Sequence, residues 1–140
     1  MRYEDAYPVL FVDDLAKTTE FYGHTLGLDV LFQADFFVLL ALPGEARGAV
    51  GFVLEDHPTA PPDGPAITPG ASAFLTLQVP DAAEAYEQLA RSGVVIGYQL
   101  RDEPWGQRRF GLVDPNGLYV DVVQQIKPSS DFWTRHGVIG

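Results

Sequence analysis

The sequence predicts an α+β fold made of two tandem βαβββ modules that form a curved mixed β-sheet. The first observation behind this prediction is an internal repeat, because Val12 and Asp14 recur as Val79 and Asp81, 67 residues later. The second is that each of the two predicted helices is followed by three strand-like runs. A chain of 140 residues is long enough for one domain with a buried core.

The first module begins with a short apolar strand at 8–12, followed by Asp14, whose carboxylate is placed to cap a helix. The apolar residues of the helix recur at helical spacing, and Gly27 is placed to end it. That apolar stripe is formed by Leu15, Thr18, Tyr22 and Leu26. Three strands are then predicted at 28–33, 36–42 and 49–55.

The second module repeats this order, with a strand at 74–79, the capping residue Asp81, and a helix at 82–91 that Gly93 closes. Its three strands are predicted at 94–100, 107–113 and 118–124. The turn before the last strand, Asp-Pro-Asn-Gly at 114–117, has the residues that a tight hairpin turn requires.

These elements predict a single domain over 1–127, followed by a tail at 128–140. Module one spans 6–55, a linker rich in proline and glycine spans 56–72, and module two spans 73–126. The linker permits the modules to pair within one chain or to swap between two chains, and both alternatives stay open. In the tail, Phe132 and Trp133 are expected to pack on the body of the protein or on a partner chain.

Composition excludes several classes of function. The chain has no cysteine, so disulfides, thiolate zinc sites and thiol nucleophiles are ruled out. Its net charge of −10 argues against nucleic acid and anionic membranes as partners, since both require a basic surface. The N-terminus lacks the pattern of a secretory signal, and no apolar run approaches the ~20 residues of a membrane helix. We therefore expect a soluble, cytoplasmic protein.

Two sets of motifs extend the repeat into a family resemblance. The first module carries Val-Asp-Asp-Leu at 12–15, Glu-Phe-Tyr at 20–22 and Leu-Gly at 26–27, and the second carries Glu-Pro-Trp-Gly at 103–106 before the 114–117 turn. Together they resemble the vicinal oxygen chelate superfamily, which includes glyoxalase I, extradiol dioxygenases, and fosfomycin- and bleomycin-resistance proteins. The Pro-Trp-Gly loop and Pro-Val-Leu at 8–10 are most similar to the bleomycin-resistance branch.

The resemblance also identifies where a metal would be bound. Enzymes of this superfamily carry metal ligands on the first and last strands of each module. The first-strand positions here are Tyr7 and Phe74, and neither is a good ligand at neutral pH. The last-strand position of module two is Asp121; in module one the register, and hence any role of Glu55, stays open. The histidines at 24, 57 and 136 show no ligand spacing. We expect no metal and no cofactor.

Candidate ligand-binding residues follow from the same resemblance, which implies a groove lined by aromatic side chains. The expected set is Phe32, Phe37, Trp105, Asp121, Tyr7 and Tyr119. For Trp105 the alternative is core packing, and strand alternation requires that Phe36 or Phe37 points into the core. Asp121 either anchors a ligand cation or hydroxyl, or pairs with Arg108 or Arg109.

The function implied is metal-independent binding of a hydrophobic or cationic small molecule, such as a bleomycin-like antibiotic, in a groove near a homodimer interface. Three carboxylates, Asp35, Asp102 and Glu103, either steer a cation toward the groove or form a solvated face. The alternative function is a divalent-metal-dependent lyase, dioxygenase or transferase with atypical ligands. A third alternative is a fold with no surviving site.

Overall fold

The computed structural model describes residues 1–2, 4–55, 57 and 73–135. It divides the chain into two compact units, residues 1–72 with 115–118 and residues 73–114 with 119–140. Apart from His57, the predicted linker at 56–72 lies outside the described residues, as do the end of the tail at 136–140 and His136 within it.

Unit one contains four strands and one helical segment. In chain order its elements are β1 (Val9–Val12), α1 (Leu15–Thr19), a π-helical continuation of α1 (Glu20–Thr25), β2 (Asp29–Gln33), β3 (Phe37–Ala41) and β4 (Val50–Leu54). The strand order is β1-β4-β3-β2, with β1 parallel to β4 and the other pairs antiparallel.

Unit two has the same topology. Its elements are β5 (Phe74–Gln78), α2 (Ala82–Arg91), β6 (Val95–Glu103), β7 (Gln107–Val113), β8 (Tyr119–Gln125) and α3 (Phe132–Arg135). The strand order is β5-β8-β7-β6, and β5 is parallel to β8. The predicted α+β fold of two βαβββ repeats is therefore confirmed, with a separate four-stranded mixed sheet in each unit.

The predicted helix caps are also confirmed. Asp14 accepts a hydrogen bond from the backbone N–H of Lys17 at 3.0 Å, and Asp81 accepts one from Glu84 at 3.1 Å. Both carboxylates thus satisfy a backbone donor that a first helical turn leaves without a partner.

The first helix differs from its prediction, because it does not continue as a regular α-helix to Leu26. From Glu20 onward it widens into π-helical turns, and the N–H of Leu26 donates to the carbonyl of Phe21 at 2.9 Å. Phe21 and Tyr22, adjacent in the sequence, are both buried in this segment. The apolar spacing identified the helix but carried no signal for this change of pitch.

The helices α1, with its π-helical continuation, and α2 each pack on one face of the sheet in their own unit. In unit one the Tyr22 ring lies 4.7 Å from that of Phe52, and in unit two the Tyr86 ring lies 5.1 Å from that of Phe110. Neither α1 nor α2 packs on the opposite face of its sheet, which we call the helix-free face, and Phe32, Phe37 and Asp121 lie on these faces. Within the described ranges, no helix is long and apolar enough to cross a membrane.

Candidate functional site

Two phenylalanines lie together on the helix-free face of unit one. The rings of Phe32 on β2 and Phe37 on β3 have centroids 6.3 Å apart, and Phe32 is 56% exposed. Phe37 lies against Gly51 on β4, where a Cβ would stand 3.0 Å from the ring. The glycine therefore lets the ring pack closely on the sheet, and the pair forms an exposed aromatic patch. Tyr7, just before β1, is also exposed.

Phe36 and Phe37, one of which is expected to point into the core, lie on opposite sides of the sheet. Phe36 precedes β3 and is half-buried, with its ring stacked on that of His57 at 4.0 Å. Phe37 is half-buried on the helix-free face. The core positions of β3 are taken by Val38 and Leu40, which are fully buried, and strand alternation places Phe36 on their side of the sheet and Phe37 on the other side.

The strand pairing fixes the register that the sequence left open. Val9 on β1 pairs with Gly51 on β4, and at the 67-residue repeat Thr76 on β5 pairs with Asp121 on β8. Gly51 is therefore the counterpart of Asp121 in unit one, and a glycine offers no side-chain ligand. Glu55 lies after the end of β4 and is exposed.

Asp121 is buried on the helix-free face of unit two. One carboxylate oxygen accepts a hydrogen bond from the Tyr98 hydroxyl at 2.8 Å, and the other accepts one from Arg109 Nη1 at 2.9 Å. Of the two alternatives weighed for Asp121, the structure shows the pairing with Arg109. A buried carboxylate with both oxygens engaged is held in place rather than free to move.

Glu103 is the second buried carboxylate on this face. It accepts hydrogen bonds from Arg101 Nε at 2.7 Å and Nη2 at 3.2 Å, and from Arg109 Nη2 at 2.9 Å. The hydrogen bond from Arg101 is the main cause that lowers the pKa of Glu103, and Arg109 contributes in the same direction. Glu103 is therefore ionised at neutral pH in spite of its burial.

Arg109 joins the two carboxylates, and it also contacts two aromatic rings. Its guanidinium carbon lies 5.3 Å from the Tyr98 ring centroid and 5.0 Å from that of Trp105, within the range of cation–π contact. Burial, and then the hydrogen bond to Asp121, raise the pKa of the Tyr98 hydroxyl. Tyr98 therefore stays protonated and remains a donor at neutral pH.

Glycine makes room for the rings of this face. A Cβ at Gly111 on β7 would overlap the Tyr98 ring, so only glycine allows Tyr98 to lie over the sheet and reach Asp121. Tyr119, which is 44% exposed, lies over Gly97 in the same way, since a Cβ there would stand 2.8 Å from its ring.

Trp105 is half-buried in the Pro-Trp-Gly loop, where the tail contacts it. Its indole N–H donates to Gln107 at 2.9 Å, and its backbone carbonyl accepts from the Trp133 indole at 2.8 Å. The Phe132 ring lies 5.9 Å from the Trp105 ring. Trp105 is thus fixed between the tail and Arg109, and both tail aromatics pack on their own unit.

The acidic residues expected to steer a cation are mostly paired. Asp102 pairs with Arg108 at 2.7 Å, which lowers the pKa of Asp102, and Glu103 is buried between two arginines. Asp35 is exposed. Arg108 and Arg109 occupy consecutive positions of β7 and point to opposite faces. The residues that the sequence did not identify are Tyr98, which lies in the strand predicted at 94–100, and Arg101, which directly follows that strand and belongs to the longer observed β6.

Two further observations bear on what these surfaces can bind. In the part of the chain that the structure describes, no group of three or more His, Asp or Glu side chains is placed to hold a metal ion. A shallow depression of about 450 Å³ runs along the π-helical segment and β2. It is lined in part by Thr19, Glu20, His24 and Gln33, and the buried Thr19 hydroxyl has no hydrogen-bond partner among the described residues.

Comparison with known proteins identifies the family to which this fold corresponds. The family model described as the Glyoxalase/Bleomycin resistance protein/Dioxygenase superfamily matches residues 6–122. The chain belongs to this superfamily, as the motifs of its two modules predicted.

Three similar proteins are 25%, 28% and 26% identical to this chain. A bleomycin resistance protein from Geobacillus stearothermophilus is 25% identical over 127 residues, which cover 86% of this chain and 96% of the relative. A superfamily member from Sphaerobacter thermophilus has a TM-score of 0.71 at 28% identity, over 89% of this chain and 98% of its own. An antibiotic binding protein from a Streptomyces species has a TM-score of 0.65 at 26% identity, over 89% and 97% of the two chains.

The buried network of Tyr98, Glu103, Arg109 and Asp121 predicts that Asp→Asn substitutions at a buried and at an exposed position differ in their effect on stability. Asp121→Asn removes the charge that faces Arg109 and should lower the free energy of unfolding by about 3 kcal/mol, because it breaks a buried pair. Asp102→Asn, the matched control in an exposed pair, should change it by less than about 0.5 kcal/mol. Urea unfolding of both variants measures the difference. Equal and small effects would show that the network does not stabilise the unit.

Proposed function

We propose that this protein binds an aromatic, antibiotic-like small molecule without a metal, and sequesters it in a groove at the interface between two copies of the chain. The observation that carries the proposal is that both helix-free faces present aromatic rings in fixed positions. Phe32 and Phe37 form the patch on unit one, and Trp105 with Tyr98 accompanies Arg109 on unit two. Stacking on such rings contributes about 0.5–1.5 kcal/mol per pair beyond simple burial.

The names of two relatives support this class of function. One is a bleomycin resistance protein and another is an antibiotic binding protein, and both match most of this chain. Binding alone is a sufficient activity for a protein of this kind, since a sequestered drug cannot reach its target. No residue of this chain is then required to perform covalent chemistry.

The arrangement at Asp121 supports metal independence. Both of its oxygens accept hydrogen bonds from Tyr98 and Arg109, so a metal ion would have to displace a buried ion pair. Gly51, at the equivalent place in unit one, has no ligand to offer. These positions argue against the alternative of a metal-dependent lyase, dioxygenase or transferase.

Exposed apolar residues on the edge strands support a partner copy. Val30 and Phe32 on β2 are 42% and 56% exposed, Phe74 on β5 is 64% exposed, and Val95 on β6 is 62% exposed. Edge strands that expose apolar side chains favour association with a second chain.

Phe32→Ala should weaken ligand binding about tenfold, because it removes an exposed ring while leaving the core intact. Isothermal titration of the metal-stripped protein with metal-free bleomycin and a panel of planar aromatic antibiotics measures the effect. Leu42→Ala, which truncates another exposed apolar residue, is the matched control and should leave the affinity unchanged. Binding that appears only after Zn²⁺, Ni²⁺, Mn²⁺ or Fe²⁺ is added would instead support the metal-dependent enzyme.

The proposed dimer predicts a species of twice the 15.3 kDa chain mass in sedimentation velocity at micromolar concentration. Phe74→Asp should shift the distribution toward the monomer, because a charge at an apolar interface is costly to desolvate. Asp replacement of Leu42 is the control, since that residue lies outside the edge strands. A wild-type protein that sediments only as a monomer contradicts this part of the proposal.

A further inference from the structure

On the helix-free face of unit two, the negatively charged side chains are buried and the positively charged side chains are more exposed. The carboxylates of Glu103 and Asp121 lie beneath the surface, with side-chain exposures of 6% and 9%, whereas the side chains of Arg101 and Arg109 are 58% and 22% exposed. A molecule that approaches from solvent therefore meets guanidinium groups before it meets a carboxylate.

The buried carboxylates are also fully engaged. Each oxygen of Asp121 and of Glu103 accepts at least one hydrogen bond from Arg101, Arg109 or Tyr98. A ligand cation would have to replace one of these charge-assisted bonds while lying beside two guanidinium groups. Both requirements oppose its binding.

Arg101 still has donors to offer a ligand. A guanidinium carries five N–H groups, and the Arg101 bonds to Glu103 use Nε and Nη2. Over the described residues, its Nη1 makes no hydrogen bond. The same guanidinium lies 5.7 Å from the Tyr98 ring centroid, so the free donors border an aromatic surface.

The overall charge of −10 does not reverse this local preference. At physiological ionic strength exposed charges farther apart than ~8 Å are largely screened, and the groups in contact with the ligand decide its affinity. The distant acidic residues slow the approach of an anion but do not occupy the site.

From this arrangement we propose that the platform formed by Tyr98, Arg101, Trp105 and Arg109 binds the anionic edge of a planar aromatic molecule, an aromatic carboxylate rather than an aromatic ammonium. The ring of the ligand packs on Tyr98 and Trp105, and the carboxylate of the ligand accepts a hydrogen bond from Arg101 Nη1. This inference rests on the proposed binding function and specifies the chemical class of ligand that the same surface takes.

Three naphthalene derivatives that differ in charge test the inference. The metal-stripped wild-type protein is titrated calorimetrically with 2-naphthoate, neutral 2-naphthamide and 2-naphthylmethylammonium. The carboxylate should bind about fivefold more tightly than the amide, as expected for one partly exposed ion pair, and the ammonium should bind most weakly.

Two arginine variants that change the net charge equally test whether the preference for the carboxylate comes from Arg101. Arg101→Gln should remove the preference for the carboxylate over the amide, while Glu103 keeps its bond to Arg109. Arg91→Gln, at the exposed end of α2 on the other side of the sheet, should retain the preference in full.

Tightest binding of the ammonium, or equal affinities for all three compounds, would overturn the inference and leave the proposed binding function standing. An equal loss of preference in both arginine variants would also overturn it, because the effect would then come from net charge. If none of the three compounds binds but members of the antibiotic panel do, the inference is wrong and the proposed function stands. If the panel also fails to bind, the proposed function falls with it.

Discussion

The structure of unit two depends on one guanidinium. Arg109 contacts two buried carboxylates, at 2.9 Å from Glu103 and 2.9 Å from Asp121, and replacing it would remove one hydrogen-bond donor from each. Uncompensated buried charge costs several kcal/mol, so the three side chains form a single arrangement. The aromatic residues are placed around it: Tyr98 donates to Asp121, and the Trp105 ring lies against the guanidinium. What this face can bind is therefore set by the need to pair these charges.

The two units show how one topology can carry two kinds of surface. At equivalent positions in the repeat, unit one has Gly51 and unit two has Asp121. The glycine admits the ring of Phe37 and produces an apolar patch, whereas the aspartate attracts Arg109 and produces an ionic network. The first kind of surface offers dispersion and ring stacking, and the second offers directional polar contacts. A binding protein needs both, since apolar contact provides affinity and polar contact provides orientation.

Most of the fold followed from the sequence because its signals are local. The capping residues Asp14 and Asp81 and the strand runs depend on neighbouring residues, and the 67-residue repeat shows the same local signals twice. The structure confirms them. The ionic network could not be predicted, because it depends on irregular pairing. Simple alternation along β6 places Tyr98 and Arg101 on opposite faces, but the register shifts between them and brings both to the same side. Such a shift leaves no periodic trace in the sequence, and the switch to π-helical turns after Thr19 leaves none either.

The arginine side-chain signals in nitrogen-15 NMR test the position of Arg109 most directly. A guanidinium held by two buried carboxylates rotates slowly about its Nε–Cζ bond, so the Nη protons of Arg109 should appear as separate signals with nuclear Overhauser contacts to the Tyr98 and Trp105 rings. Exposed arginines such as Arg91 should give averaged signals instead. Asp121→Asn should collapse the separate Arg109 signals. If Arg109 in the wild-type protein gives the same averaged signal as Arg91, the guanidinium is not fixed, and the account of this face is wrong.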